Sequence, residues 1–246
     1  MRLGLLRRGL FVVGCGVTAV TLSACESTQQ ESEKIGREGG QSSAASASLK
    51  LGAVNRGVRV SEVTLLSSSG RKAVAARLTS TSAKVQSEIP LLVTVTGKGG
   101  KVLYTNATGE QEDSLQHLAL LRPGQSVWWV DDQVLTSQTA AAVKIQAGTG
   151  RQARGGSVAD VGTTGVRNST QGGLALVSGN VVNHSSTPLS KVPVFVVSLR
   201  GGAIVAAGRA VIPSLAGHSG ASAPFQAFLV GTPGPSTRLN AVASAG

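Results

Sequence analysis

The sequence predicts an all-β chain: two tandem immunoglobulin-like β-sandwich domains behind a signal peptide and a flexible tether. Three observations predict it. Only 3% of the 246 residues are aromatic and one is Met, while Gly, Ala, Val, Ser and Thr abound. That profile suits strands and turns and argues against helical bundles. Short apolar runs recur between turn residues without a helical period, at about seven strands per hundred residues, the density of a seven-strand sandwich. Finally, one block of the chain returns 103 positions later: Ser87, Ile89, Pro90, Leu91 and Val93 fall on Ser190, Val192, Pro193, Val194 and Val196. A period this long exceeds a solenoid unit and points to duplication of a whole domain.

The elements follow in order. Residues 1–24 read as a signal peptide. Arg2, Arg7 and Arg8 form a positive n-region, and Leu10 to Leu22 an apolar h-region too short to span a bilayer as a helix. Leu22, Ser23, Ala24 and Cys25 then close the segment. This stretch resembles the bacterial lipobox at each of its four positions. The resemblance implies that the Cys25 sulfur receives a diacylglyceryl group and that the peptide bond before it is cut. Cys15 lies inside the removed segment, so no disulfide with Cys25 is expected. Two or more acyl chains anchor a protein stably where a single chain does not. The expected location is therefore the extracytoplasmic face of the cell membrane. The alternative is an ordinary secretory signal cut nearby.

Residues 25–49 read as a tether. They hold four Glu against Lys34 and Arg37, almost no large apolar residues, and a closing Ser/Ala run. Such a segment buries too little surface to offset chain entropy. Removing the signal and its three arginines takes the net charge from +11 to +8 and leaves 222 residues. The Gly- and Ala-rich composition resembles that of actinobacterial proteins.

Domain one is expected at 50–147, with strands at 58–66, 72–79, 89–96, 101–105, 115–121, 126–130 and 141–147. In 89–96, Ile89, Leu91, Val93 and Val95 share one face and Thr94 and Thr96 the other. Gly97-Lys-Gly-Gly100 suits a hairpin needing positive φ, and Arg122-Pro-Gly-Gln125 a turn with Pro at its second position. Residues 148–157 read as a linker. Domain two, 158–246, offers strands at 173–183, 192–199, 203–212, 224–230 and 237–243. Its echo of the Leu121 to Ser126 turn is Leu215-Ala-Gly-His-Ser219.

A strand, a polar Asn-x-Ser break, an apolar strand, a glycine hairpin and a Leu-x-x-Gly turn before a Phe-containing strand resemble the small Ig-like modules of bacterial lipoproteins, the FxLYD type above all. The similarity covers mainly 174–230 and, less closely, 74–130. Leu199 and Arg200 stand where that family has its Tyr-Asp pair. The resemblance implies extracytoplasmic interaction and no catalytic residues.

Read for chemistry, the chain points away from an enzyme. His117, His184 and His218 lie in no recognisable catalytic setting. Ser69-Gly-Arg-Lys72 matches Ser-x-x-Lys, but no Lys-Thr-Gly follows. No phosphate loop or dinucleotide fingerprint is present, and no cofactor, metal or nucleic acid is expected. Glu110, Glu112, Asp113, Asp131 and Asp132 would make a calcium site only if two loops met, and their spacing fits no calcium loop. Asn106, Asn168 and Asn183 begin Asn-x-Ser/Thr triplets. The candidate interaction residues are Trp128 and Trp129, adjacent in a strand so that one enters the core and the other faces out. Val197 and Leu199 join them, because they make both faces of 192–199 apolar. The outward residues await either a protein partner at the envelope or the other domain. Residues 151–246 carry seven basic residues and one acid, Asp160. That excess suggests an anionic envelope polymer or lipid as the other class of partner.

Overall fold

Alternating Val, Leu, Ile and Ala, cut at short intervals by Gly, Pro and Ser, leaves each segment only one way to satisfy its backbone: pairing with another strand. The computed structural model describes residues 49–108, 111–152 and 159–245, and there the fold is all-β and antiparallel. The expected signal peptide, the residues read as a lipobox, Leu22, Ser23, Ala24 and Cys25, and the expected tether up to residue 48 lie outside the described residues. So do Glu110 and residues 153–158 of the expected linker.

In the first half, β1 (Val58–Ser68), β2 (Arg71–Ser80) and β6 (Ser126–Asp131) form one sheet in the order β1-β2-β6. A second sheet is organised by β3 (Gln86–Thr96). It pairs on one edge with β4 (Val102–Thr105) and β5 (His117–Leu121), and on the other with β7 (Ala142–Ala147) and β8 (Arg151–Gln152). A 3-10 turn at Lys98–Gly100 and one short helix, α1 (Asp113–Gln116), interrupt the strands. Ile89, Leu91, Val93 and Val95 are fully buried against Val74, Leu78, Val127 and Trp129 of the facing sheet. The segment expected as a linker therefore begins as strand, since β8 pairs with Gln86 and Ser87.

The second half repeats the pairing. β9 (Val161–Gln171), β10 (Leu174–Asn183) and β13 (Ala221–Phe228) form a sheet in the order β13-β10-β9. β11 (Leu189–Arg200), β12 (Ala203–Leu215), β14 (Val230–Gly231) and β15 (Arg238–Ala243) form the other, in the order β14-β12-β11-β15. β9 and β10 begin 103 positions after β1 and β2, and Gln86↔Leu121 in one half matches Leu189↔Leu215 in the other. Even the irregularities recur. The register slips between Ser61 and Thr64 and again between Thr164 and Arg167, with Glu62 (φ 52) and Gly165 (φ 61) at the bulge. Glu88 and Lys191, also 103 apart, both adopt left-handed backbone before their Ile-Pro or Val-Pro pair.

Two readings of the repeat change. β9 was absent from the expected strands, because VGTTGVRNSTQ is too polar to signal burial; most of it is exposed. And the counterpart of Ser126 is Ser222, not Ser219. Ser126 pairs with Thr79 and Ser222 with Val182, 103 positions beyond Thr79, so the second turn is longer, not shorter.

The four sheets lie in succession. The β1-β2-β6 sheet of the first half packs against the β14-β12-β11-β15 sheet of the second, through β1, β2 and β6 on one side and β11, β12 and β14 on the other. Both halves belong to one compact unit. A single apolar cluster runs from Val74, Leu78 and Trp129 into Phe195, Val197, Ala207 and Val230.

Candidate interaction site

β6 reads SVWWVD, and the alternation that sends Val127 and Trp129 into the sandwich turns Trp128 and Val130 to the opposite face. That face is not free. Trp129 is fully buried and Trp128 retains 7% exposure; of the two coverings the sequence left open for the outward indole, a partner or the other half, it is the other half that covers it. Strand β11 behaves likewise. Val192, Val194 and Val196 fill the core of the second half, while Phe195 and Val197, fully buried, and the half-buried Leu199 pack onto the first. The Trp129 and Phe195 rings meet tilted at 47°, centroids 6.5 Å apart. On β2 the matching residues are Ala73 and Ala75, both fully buried, and their small side chains let the second half approach closely. Trp128, Val197 and Leu199 thus lie in the seam between the two halves of this chain, and Trp129 reaches it from the core of the first half through Phe195.

A polar clamp closes one end of the seam. The Arg209 side chain, 5% exposed, donates from Nη1 to Glu112 Oε2 at 2.6 Å and to Ser114 Oγ at 2.8 Å, and from Nε to Asp132 Oδ1 at 3.3 Å. Two of the acids that the calcium reading would have needed, Glu112 and Asp132, therefore gather around a guanidinium. Asp131, next in the chain, turns the other way: the Tyr104 hydroxyl donates to its Oδ2 at 2.6 Å and the Gln133 N–H to its Oδ1 at 3.0 Å. Burial pushes the Asp131 carboxyl up to about 6, with Asp132 adding to the rise, although both hydrogen bonds and Arg209 pull it back. Burial first, then the Asp131 charge, raises the Tyr104 hydroxyl well above its usual value. Elsewhere along the seam Arg122 donates to the Ala159 carbonyl at 3.0 Å and lies 3.9 Å from Asp160.

Beside Trp128 the seam opens into a cleft of about 450 Å3 lined by Glu62, Arg77, Ser126, Trp128 and, from the second half, Leu199, Gly202, Arg238, Asn240 and Val242. The Arg77 guanidinium carbon sits 5.8 Å from the Trp128 ring centroid, and its Nη1 is 3.3 Å from Glu62 Oε1. The sequence reading missed Glu62, Arg77, Arg238 and Asn240. The one signal for them was comparison of the copies: Glu62, Arg77 and Trp128 stand where the second half has Gly165, Asn180 and Pro224.

The remaining polar motifs resolve locally. Asn106 is fully buried, accepting from the Val93 N–H and donating to the Leu91 and Leu115 carbonyls. Asn183 is also fully buried and donates to the Thr187 and Ala216 carbonyls, so both triplets are structural caps. Lys72 donates to the Thr136 carbonyl. His117 Nδ1 lies 2.7 Å from Asp113 Oδ1 without hydrogen-bond alignment, while His184 and His218 are exposed. Among the described residues no three His, Cys, Asp or Glu side chains converge as metal ligands, and no helix is long and apolar enough to cross a membrane. No protein-family model matches the chain, and no curated protein matches its sequence.

Proposed function

We propose that the chain is a lipid-anchored extracytoplasmic lipoprotein whose two Ig-like domains serve as a non-enzymatic binding or scaffolding module at the cell envelope. The observation that carries this reading is the run Leu22-Ser23-Ala24-Cys25 behind an arginine-bearing n-region and a short apolar h-region. A cysteine in that position becomes a thioether, which neither reacts nor binds metal, and the acyl chains it carries hold the protein at the membrane. The tether from 25 to 49 would give the sheets room above the lipid surface. The seam supports a module that acts as one body, since each half covers an apolar face of the other.

Metabolic labelling with an alkynyl fatty acid in a lipoprotein-processing bacterial host tests the anchor. Wild type is expected to incorporate label and sediment with membranes. The Cys25→Ala variant should lose both, and Cys15→Ala should keep them. Label retained in Cys25→Ala, or absent from wild type, overturns the reading.

A further inference from the structure

The cleft beside Trp128 carries chemistry that the packing of the two halves does not use. It brings an arginine from each half, Arg77 and Arg238, to one opening, with Ser126 lining it from the first half and Asn240 from the second. Arg238 is exposed, and among the described residues it pairs with no acid, in contrast to the buried Arg209. Arg77 is held: Trp128 supports it from below and Glu62 from the side.

Glu62 is the second observation. It occupies the left-handed bulge position that its repeat counterpart fills with Gly165, at φ 52 against φ 61. A side chain there costs about 1–2 kcal/mol over the relaxed backbone, a cost that glycine avoids at the matching position of the second half. Its effect here is to place a carboxylate against Arg77. The three residues that build this wall have no equivalents in the second half, where Gly165, Asn180 and Pro224 stand.

We propose that this cleft binds a small organic phosphate, a phosphorylated polyol or sugar. Arginine forks match the oxygens of phosphate and carboxylate alike. One fork saturates a planar carboxylate, and Glu62 already presents one to Arg77. A tetrahedral phosphate offers three oxygens, enough for the remaining donors of Arg77 together with Arg238, Asn240 and Ser126. The cleft volume of about 450 Å3 exceeds the needs of a bare ion and lies within the range of about 300–1,000 Å3 usual for organic ligands. The proposal takes the binding reading one step further, to a ligand class, and does not depend on lipid at Cys25.

The test is titration of the full-length chain in detergent with glycerol 1-phosphate, inorganic phosphate, glucuronate and glycerol, read by calorimetry and by the fluorescence of Trp128 and Trp129. Saturable binding of glycerol 1-phosphate is expected, with inorganic phosphate and glucuronate at least about 10-fold weaker, a gap of about 1.4 kcal/mol, and no response to glycerol. Arg77→Gln and Arg238→Gln should each weaken binding about 10-fold or more, within the cost of losing a charged hydrogen bond. Arg167→Gln, which removes the same charge outside the cleft, should leave it unchanged. Asn240→Asp, which keeps the side-chain shape and adds a negative charge, should abolish binding in a protein with an unaltered melting curve. Absence of saturable binding overturns the proposal. So does equal weakening by Arg167→Gln, or glucuronate or inorganic phosphate binding as tightly as glycerol 1-phosphate. Fatty-acid labelling at Cys25 is unaffected by any of these outcomes.

Discussion

Asp131 is fully buried with its carboxyl pushed up to about 6 from 3.8, and the first cause is loss of solvent. The native state therefore holds a proton that the unfolded chain releases between pH 4 and 6, and stability contributed through this group falls as pH rises across that window. Asp131→Asn removes the titration. It keeps an acceptor for the Gln133 N–H, and the Tyr104 hydroxyl can turn to accept from the new amide. Urea unfolding at pH 4.5 and 7.5 should show the variant gaining on wild type toward neutral pH, by an amount on the order of 2 kcal/mol. An unchanged difference between the two pH values would count against a buried charged Asp131. Nothing local in the sequence distinguishes Asp131 from Asp132. Strand alternation sends one inward to Tyr104 and the other out to Arg209, and that was legible only once β6 had a register.

Strand β11 shows what alternation reveals and what it leaves open. Val197 and Leu199 stand where β3 has Thr94 and Thr96, and the sequence reading took from this that both faces of β11 are apolar. The covering surface was open between a partner and the other half, and the structure places Trp128, Ala75 and Val130 in the seam that covers it. Val197→Thr, the residue of the first copy, should bury an unpaired hydroxyl and cost about 1–3 kcal/mol. Thr94→Val, at a half-buried position, should change stability by less than about 0.5 kcal/mol. Chemical denaturation of both variants checks the pair, and an equal effect would mean that the seam is not packed. β9 was illegible for the opposite reason: its outward residues are polar because no sheet covers them, so no pattern marked it as strand. Shifting β1 by 103 positions locates it.

At the scale of the molecule the copies have diverged in a complementary way. The first half is apolar on the face that meets the second, with Ala73, Ala75, Trp128 and Val130; the second half has Leu176, Ser178, Pro224 and Gln226 at the matching positions of its own sheet. The first of these sets is wholly apolar and is covered by the second half; its counterpart is mixed, with Ser178 and Gln226 beside Leu176 and Pro224. Because one apolar cluster and the Arg209 clamp join the halves, calorimetry should record a single unfolding transition for residues 49–245 in the full chain. Arg209→Ala should lower stability by about 2–3 kcal/mol, below the 3–5 kcal/mol of a fully buried pair because Glu112 is half exposed. Two well-separated transitions in wild type would mean that the halves unfold independently.

By itself the sequence determined the β class, the positions of most strands and the 103-residue repeat, because each depends on local alternation and on turn residues that act within a few positions. It also holds the contiguous run Leu22-Ser23-Ala24-Cys25, on which the proposed anchor rests. What only the tertiary structure decided was the use of each outward face. Whether Trp128 meets water or Leu199, and whether Glu112 and Asp132 gather around an ion or around Arg209, depends on residues about a hundred positions apart in the chain. Burial and charge pairing are set by whatever arrives opposite, and no short stretch of sequence specifies that.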